Sequence, residues 1–179
     1  MIIDFHSHIW RREWRSESMW DAMADLMLER LGGAVTAREA IKNDIFANYL
    51  DPSGERHLRQ MEEAGIDVTV LHPLDYGLAP GGEAPASIEE QNAAHAALVK
   101  KYPDKFLAFA GVDPRRANTL ELIDRGVNEW GFKGLKLHPA AGFYPDDTAF
   151  DPMYEKACEL NLPLLIHTGH ISPPLDSSY

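Results

Sequence analysis

Apolar and polar positions along this chain alternate between two patterns. Short apolar runs read as strands, and longer stretches with apolar residues every three or four positions read as helices. The first run, Met1 to Trp10, is strand-like. In an extended chain, side chains two residues apart project to the same side, so His6 and His8 share a face, with Asp4 on that face and Ile3 and Phe5 on the other. A helical pattern through Trp20, Met23, Met27, Leu28 and Leu31 follows and stops at Gly32-Gly33. Thr36 with Glu39 forms a capping box that opens a second helix through Ile41, Ile45 and Phe46. A third helix starts near Ser53, turns Leu58 and Met61 inward and ends at Gly65.

From there the two patterns take turns. Ile66 to His72 is a β-branched strand, Pro80 to Pro85 a loop, and Ser87 with Glu90 caps a helix that runs to about Tyr102. Phe106 to Val112 is the third strand, Asn118 opens a helix through Leu122, Ile123 and Trp130, and Gly134 to His138 is the fourth strand. After the loop Pro139 to Phe150, Asp151-Pro152 supplies an N-cap and a first-turn proline. That helix runs to about Leu160 and leads into the fifth strand, Leu162 to His167.

Strands joined by helical crossovers form a parallel sheet. Polar residues gather where these strands end: His6 and His8, His72, Asp113, Lys136 and His138, and His167. In a closed barrel all such ends meet at one mouth. In an open doubly wound sheet the ligand sits at a switch point, and no glycine-rich phosphate loop follows the first strand to support that arrangement. The expected fold is therefore α/β, a partial (β/α)₈ TIM barrel of about five parallel βα units with a helical insertion after the first strand, in one domain spanning residues 1–179. Lys136 and His138 share a strand face, and two imidazoles on one face begin a site for a divalent transition ion.

Composition narrows the partners. With 17 Lys and Arg against 28 Asp and Glu, the net charge is -11 and the pI about 5.1. No basic cluster is available to neutralise phosphates, so nucleic acid and anionic membrane are not expected. No apolar run approaches the ~18 residues of a membrane span, and no basic and then apolar leader precedes the first strand. Cys158, the single cysteine, is expected to be a buried structural thiol in a cytoplasmic protein.

Four stretches resemble the amidohydrolase superfamily, in the branch called amidohydrolase family 2: Ile2-Ile3-Asp4-Phe5-His6-Ser7-His8, Met61 to Asp67, Gly131 to Pro139 with its Gly-x-Lys-x-His-Pro order, and Leu162 to Gly169 with Pro-x-x-x-His-Thr-Gly. They lie in the family's order across nearly the whole chain. The resemblance implies a (β/α)₈ barrel holding one or two divalent ions at its mouth, with zinc the first expectation. It places His6, His8 and His167 among the metal ligands and Lys136 at the fourth-strand lysine position. Lys136 and His138 are the expected catalytic residues. His72 and Trp10 are the expected contacts to a small-molecule substrate.

The implied function is a metal-dependent hydrolase whose activated water attacks an amide, ester or lactone carbonyl. Nonoxidative decarboxylation or hydration on the same centre is the alternative. The family barrel also has eight strands and a metal-binding aspartate on the last, whereas strand patterns here end with Leu162 to His167 and His170 to Tyr179 carries none. The chain is therefore expected to be a fragment, a half-barrel completed by a second copy or a partner chain, or a rearranged fold. An inactive half-barrel associating through its open edge is the rival to the enzyme.

Overall fold

The computed structural model describes residues 1–32 and 37–169. Gly33, the Thr36 half of the expected capping box and the segment from His170 to Tyr179 lie outside the described residues. The strands are β1 (Ile3–Ser7), β2 (Val68–Leu71), β3 (Phe106–Ala108), β4 (Ala110–Gly111), β5 (Leu135–Leu137) and β6 (Leu164–Ile166). The helices are α1 (Glu17–Leu31), α2 (Arg38–Ala40), α3 (Glu55–Ala64), α4 (Ile88–Lys101), α5 (Thr119–Asn128) and α6 (Asp151–Glu159). No helix among the described residues is long and apolar enough to cross a membrane.

Every strand pairing is parallel, in the orders β1-β2-β3 and β4-β5-β6. The expected third strand is split at Phe109, whose N–H still donates to Leu71 while the next residue, Ala110, donates to Gly134. Pairing is handed from β2 to β5 within that one step. The strands thus follow chain order across the sheet, without the reversal that defines a doubly wound fold.

Burial agrees with this order. Leu71, Phe106, Ala108, Ala110, Val112, Leu135 and Leu137 form one core with residues of all four crossover helices, Met61 of α3, Leu98 of α4, Leu122 of α5 and Met153 of α6. Helices that all cover one sheet face, leaving the other to Val70, His72, Phe109, Lys136 and His138, make the wall of a (β/α)₈ barrel. Gly134 is required where that wall is tightest, because a Cβ there would lie 2.6 Å from the Phe109 ring and 2.7 Å from the Pro163 oxygen.

Local signals account for most helix ends. Ser16 caps α1, and Gly32 closes it in the left-handed region at φ 58°. Ser87 and Glu90 form the complete capping box of α4. Three expectations are corrected. The second helix is irregular: α2 opens into a wide turn at Ile41–Ile45 and then a 3₁₀ turn at Phe46–Tyr49. The wide turn, closed by Phe46 N–H donating to Ile41, lets these two residues five apart pack on one side with Trp20 and Ala24. Asp151 lies inside α6, whose cap is Phe150. Cys158 is exposed, because α6 turns Met153 and Ala157 to the core and the next position points about 100° away.

Candidate metal centre at the strand ends

The first strand departs from simple alternation. Asp4 pairs with Thr69 and Ser7 with Leu71, so three residue steps on β1 oppose two on β2, and a β-bulge lies between them. Thr69 faces α3, where its hydroxyl is 3.3 Å from His57 Nε2, so its partner Asp4 lies on the helix side. There Asp4 bonds the Ser7 hydroxyl and accepts from the His6 amide. Beyond the bulge Phe5 packs edge-on to Phe109 with centroids 5.6 Å apart, on the same inner side as His6 and His8. The expected sharing of one face by Asp4, His6 and His8, with Phe5 opposite, is therefore corrected.

The bulge concentrates imidazoles. His6 and His8 have ring centroids 5.2 Å apart, and His72 is 5.3 Å from His6. His8 Nδ1 is 2.7 Å from the His72 carbonyl, so Nδ1–H donates and Nε2 keeps its lone pair. His72 Nε2–H donates in turn to Phe5 at 2.8 Å, which leaves His72 Nδ1 buried and without a hydrogen-bond partner. Burial, first among the causes, holds His8 down to about 3 and His72 down to about 4, so both are neutral near pH 7. Neutral imidazole with one nitrogen fixed by a carbonyl is the state a metal ligand needs.

Lys136 completes the inner wall. It is 1% exposed, and its Nζ lies 3.4 Å from His6 Nε2. Burial lowers it to about 8. Neither Asp4 nor Asp113 pairs with it: Asp4 is engaged with Ser7, and Asp113 is bound by Arg115 at 2.6 Å. No carboxylate lies within ion-pair distance of Lys136 among the described residues. Next along the chain, His138 stacks on His167 at 4.3 Å and meets Tyr76 edge-on at 4.9 Å. Burial puts His138 down to about 3, and its Nδ1 has no hydrogen-bond partner. Trp10 tilts over His8 at 5.4 Å.

All seven residues singled out from the sequence therefore lie at the C-terminal strand ends. His6, His8, His72 and Lys136 cluster together, and His138 with His167 forms an adjoining pair. Among the described residues no three His, Cys, Asp or Glu side chains are arranged as a complete metal-binding group. The donors fit a divalent ion in chemistry, as imidazoles facing one mouth, and the described part of the chain supplies only a portion of a coordination shell.

Sequence reasoning missed two features. Asp75, buried after β2, is bound by Arg116 at 2.5 Å and accepts from the Asp113 amide, while Arg115 donates to Ala141 and Gly142. Asp113-Pro114-Arg115-Arg116 was a visible polar cluster at a strand end. The second is Arg15, within a charged stretch otherwise unremarkable, whose guanidinium lies 4.0 Å from the Trp10 ring.

Comparisons with known proteins bear on the same mouth. A family model described as Amidohydrolase matches residues 3–179. The chain is 27% identical over 201 residues to 2-keto-4-carboxy-3-hexenedioate hydratase of Sphingobium sp., covering 99% of this chain and 55% of that protein. It is 32% identical over 127 residues to decarboxylase orsB of Emericella nidulans, covering 68% and 37%. Among solved structures, 5-carboxyvanillate decarboxylase of Novosphingobium aromaticivorans, complexed with manganese and 4-hydroxy-3-methoxy-5-nitrobenzoic acid, superposes with a TM-score of 0.63 at 26% identity, covering 93% of this chain and 50% of that one. The chain thus spans about half the length of the proteins it matches.

Proposed function

Because this chain belongs to the amidohydrolase family, we propose that its strand-end mouth is part of a metal-dependent lyase site, performing nonoxidative decarboxylation or hydration of a carboxylated small molecule. The observation that carries this reading is Lys136, a buried ammonium 3.4 Å from His6 with no carboxylate of its own. Such a cation gains most from a substrate carboxylate brought against it. The hydratase and decarboxylases among the relatives support lyase chemistry over the hydrolysis expected from the sequence.

In this reading His6, His8 and His167 hold the ion, and the manganese of the Novosphingobium enzyme makes Mn²⁺ a candidate beside the expected Zn²⁺. A bound divalent ion supplies Lewis-acid polarisation of substrate oxygen. The chain's own residues do the rest. Lys136 Nζ anchors the carboxylate and sets its distance from the histidines. His138, held neutral by burial with its Nδ1 unbonded, offers substrate a hydrogen-bonding nitrogen at the mouth. His72 fixes the His8 tautomer through its carbonyl, so it acts on substrate only through His8. Trp10 closes the side next to His8.

The test loads the chain separately with Mn²⁺ and Zn²⁺, measures bound metal by elemental analysis, and follows CO₂ release and water addition on aromatic and unsaturated carboxylates beside amide, ester and lactone hydrolysis. Lyase turnover that falls about 100-fold or more in Lys136→Met is expected. Hydrolysis without lyase turnover, or a chain that takes up neither ion, overturns the reading.

A further inference from the structure

A second recess of about 190 Å³ adjoins the mouth on the side of the insertion, lined by Trp10, Arg15, Trp20, Met23, Phe46 and Tyr49. Arg15 is the one charged residue on its walls. Its Nη1 is 3.1 Å from the Met23 sulfur, it hydrogen-bonds Tyr76, and it lies against the rings of Trp10 at 4.0 Å and Tyr76 at 5.1 Å. These contacts use a minority of the five N–H donors of a guanidinium. No carboxylate pairs with Arg15 among the described residues, in contrast to Arg115 and Arg116, which hold Asp113 and Asp75. Burial holds Arg15 below the usual guanidinium range, the mark of a desolvated cation.

We propose that this recess is a separate binding site for a monocyclic aromatic carboxylate, with the carboxylate on the Arg15 guanidinium and the ring against Trp20, Phe46 and Tyr49. The guanidinium fork matches a carboxylate in two-point fashion, and the aromatic walls match a flat apolar body. The volume is below the ~300 Å³ at which pockets for larger ligands begin, which limits the occupant to about one ring. The site shares one wall with the metal mouth, since Trp10 lies over His8 at 5.4 Å, and Tyr76, beside Arg15, meets His138 at 4.9 Å. None of the recess residues is a proposed metal ligand, so the site stands or falls apart from the lyase reading.

The test titrates the chelator-treated chain with benzoate and follows tryptophan fluorescence, to which Trp10 and Trp20 report from the pocket wall. Saturable quenching is expected, with benzamide, the neutral isostere, binding about 10-fold or more weakly. Arg15→Gln shows the same loss and Arg15→Lys a smaller one, and Lys133→Gln, an exposed change outside both sites, leaves benzoate binding unchanged. Should Arg15→Gln fail to fold by circular dichroism, the benzoate-to-benzamide ratio and the Arg15→Lys titration decide in its place. Equal binding of benzoate and benzamide, no saturable quenching, or undiminished binding in the Arg15 variants overturns the proposal.

Discussion

His95, fully buried on α4, stacks on Trp14 at 4.7 Å and is fixed by the Gln91 carbonyl at 2.8 Å. Burial lowers it to about 4. A base whose folded value is depressed takes up its proton in the unfolded chain first, so the stability it permits is complete above about pH 6.5 and is lost as pH falls toward 4. Each such histidine contributes a slope of up to about 1.4 kcal/mol per pH unit in that window. Urea unfolding between pH 7.5 and 5 is expected to show this loss, with a shallower slope in His95→Leu. An unchanged slope in that variant counts against the assignment. The strand-end histidines were legible because a period of two and the end of an apolar run are local features of sequence. Arg15 was not, since its burial depends on Trp10 and on Tyr76, far along the chain, closing around it.

Elements that cap themselves were equally readable. The Ser87 and Glu90 box needs only residues three apart, whereas the β1 bulge exists only in the pairing of β1 with β2 and leaves no mark in either strand alone. The same holds for the clamp beyond the strand ends, where Arg116 grips Asp75 and Glu83 and Arg115 grips Asp113, Ala141 and Gly142. These two arginines tie the segments after β2, β4 and β5 into one rim. Asp75→Asn leaves the shape and removes the buried charge facing the half-buried Arg116, which keeps Glu83, with an expected loss of about 2 kcal/mol in chemical denaturation. Asp75→Asn combined with Arg116→Met is expected to lose less than the two single changes added together. Additive losses would mean that the pair is not coupled.

For the whole molecule, the inner face and outer edge of β1 are the open quarter of the described fold. Ile2, just before β1, and Ile3 and Phe5 on it are 58%, 46% and 51% exposed, beside the first two histidines. Clustered apolar exposure of this kind is where association is expected. Sedimentation at high protein concentration is expected to give a mass above the 20.1 kDa of one chain, returning toward it in Ile2→Lys with Ile3→Lys. A single-chain mass for the unaltered protein at every concentration would set this aside.

The handover of pairing at Phe109 has its own consequence. Three strands lean on the chain before this residue and three on the chain after it, and the backbone joins them through the Phe109–Ala110 step and through Lys133 N–H donating to Ala108. The inner wall is divided between them, His6, His8 and His72 on one side and Lys136, His138 and His167 on the other. Where they meet, the Phe109 ring is wedged over Gly134 and against Phe5, so a change in the size of that one side chain is felt by both sets of histidines.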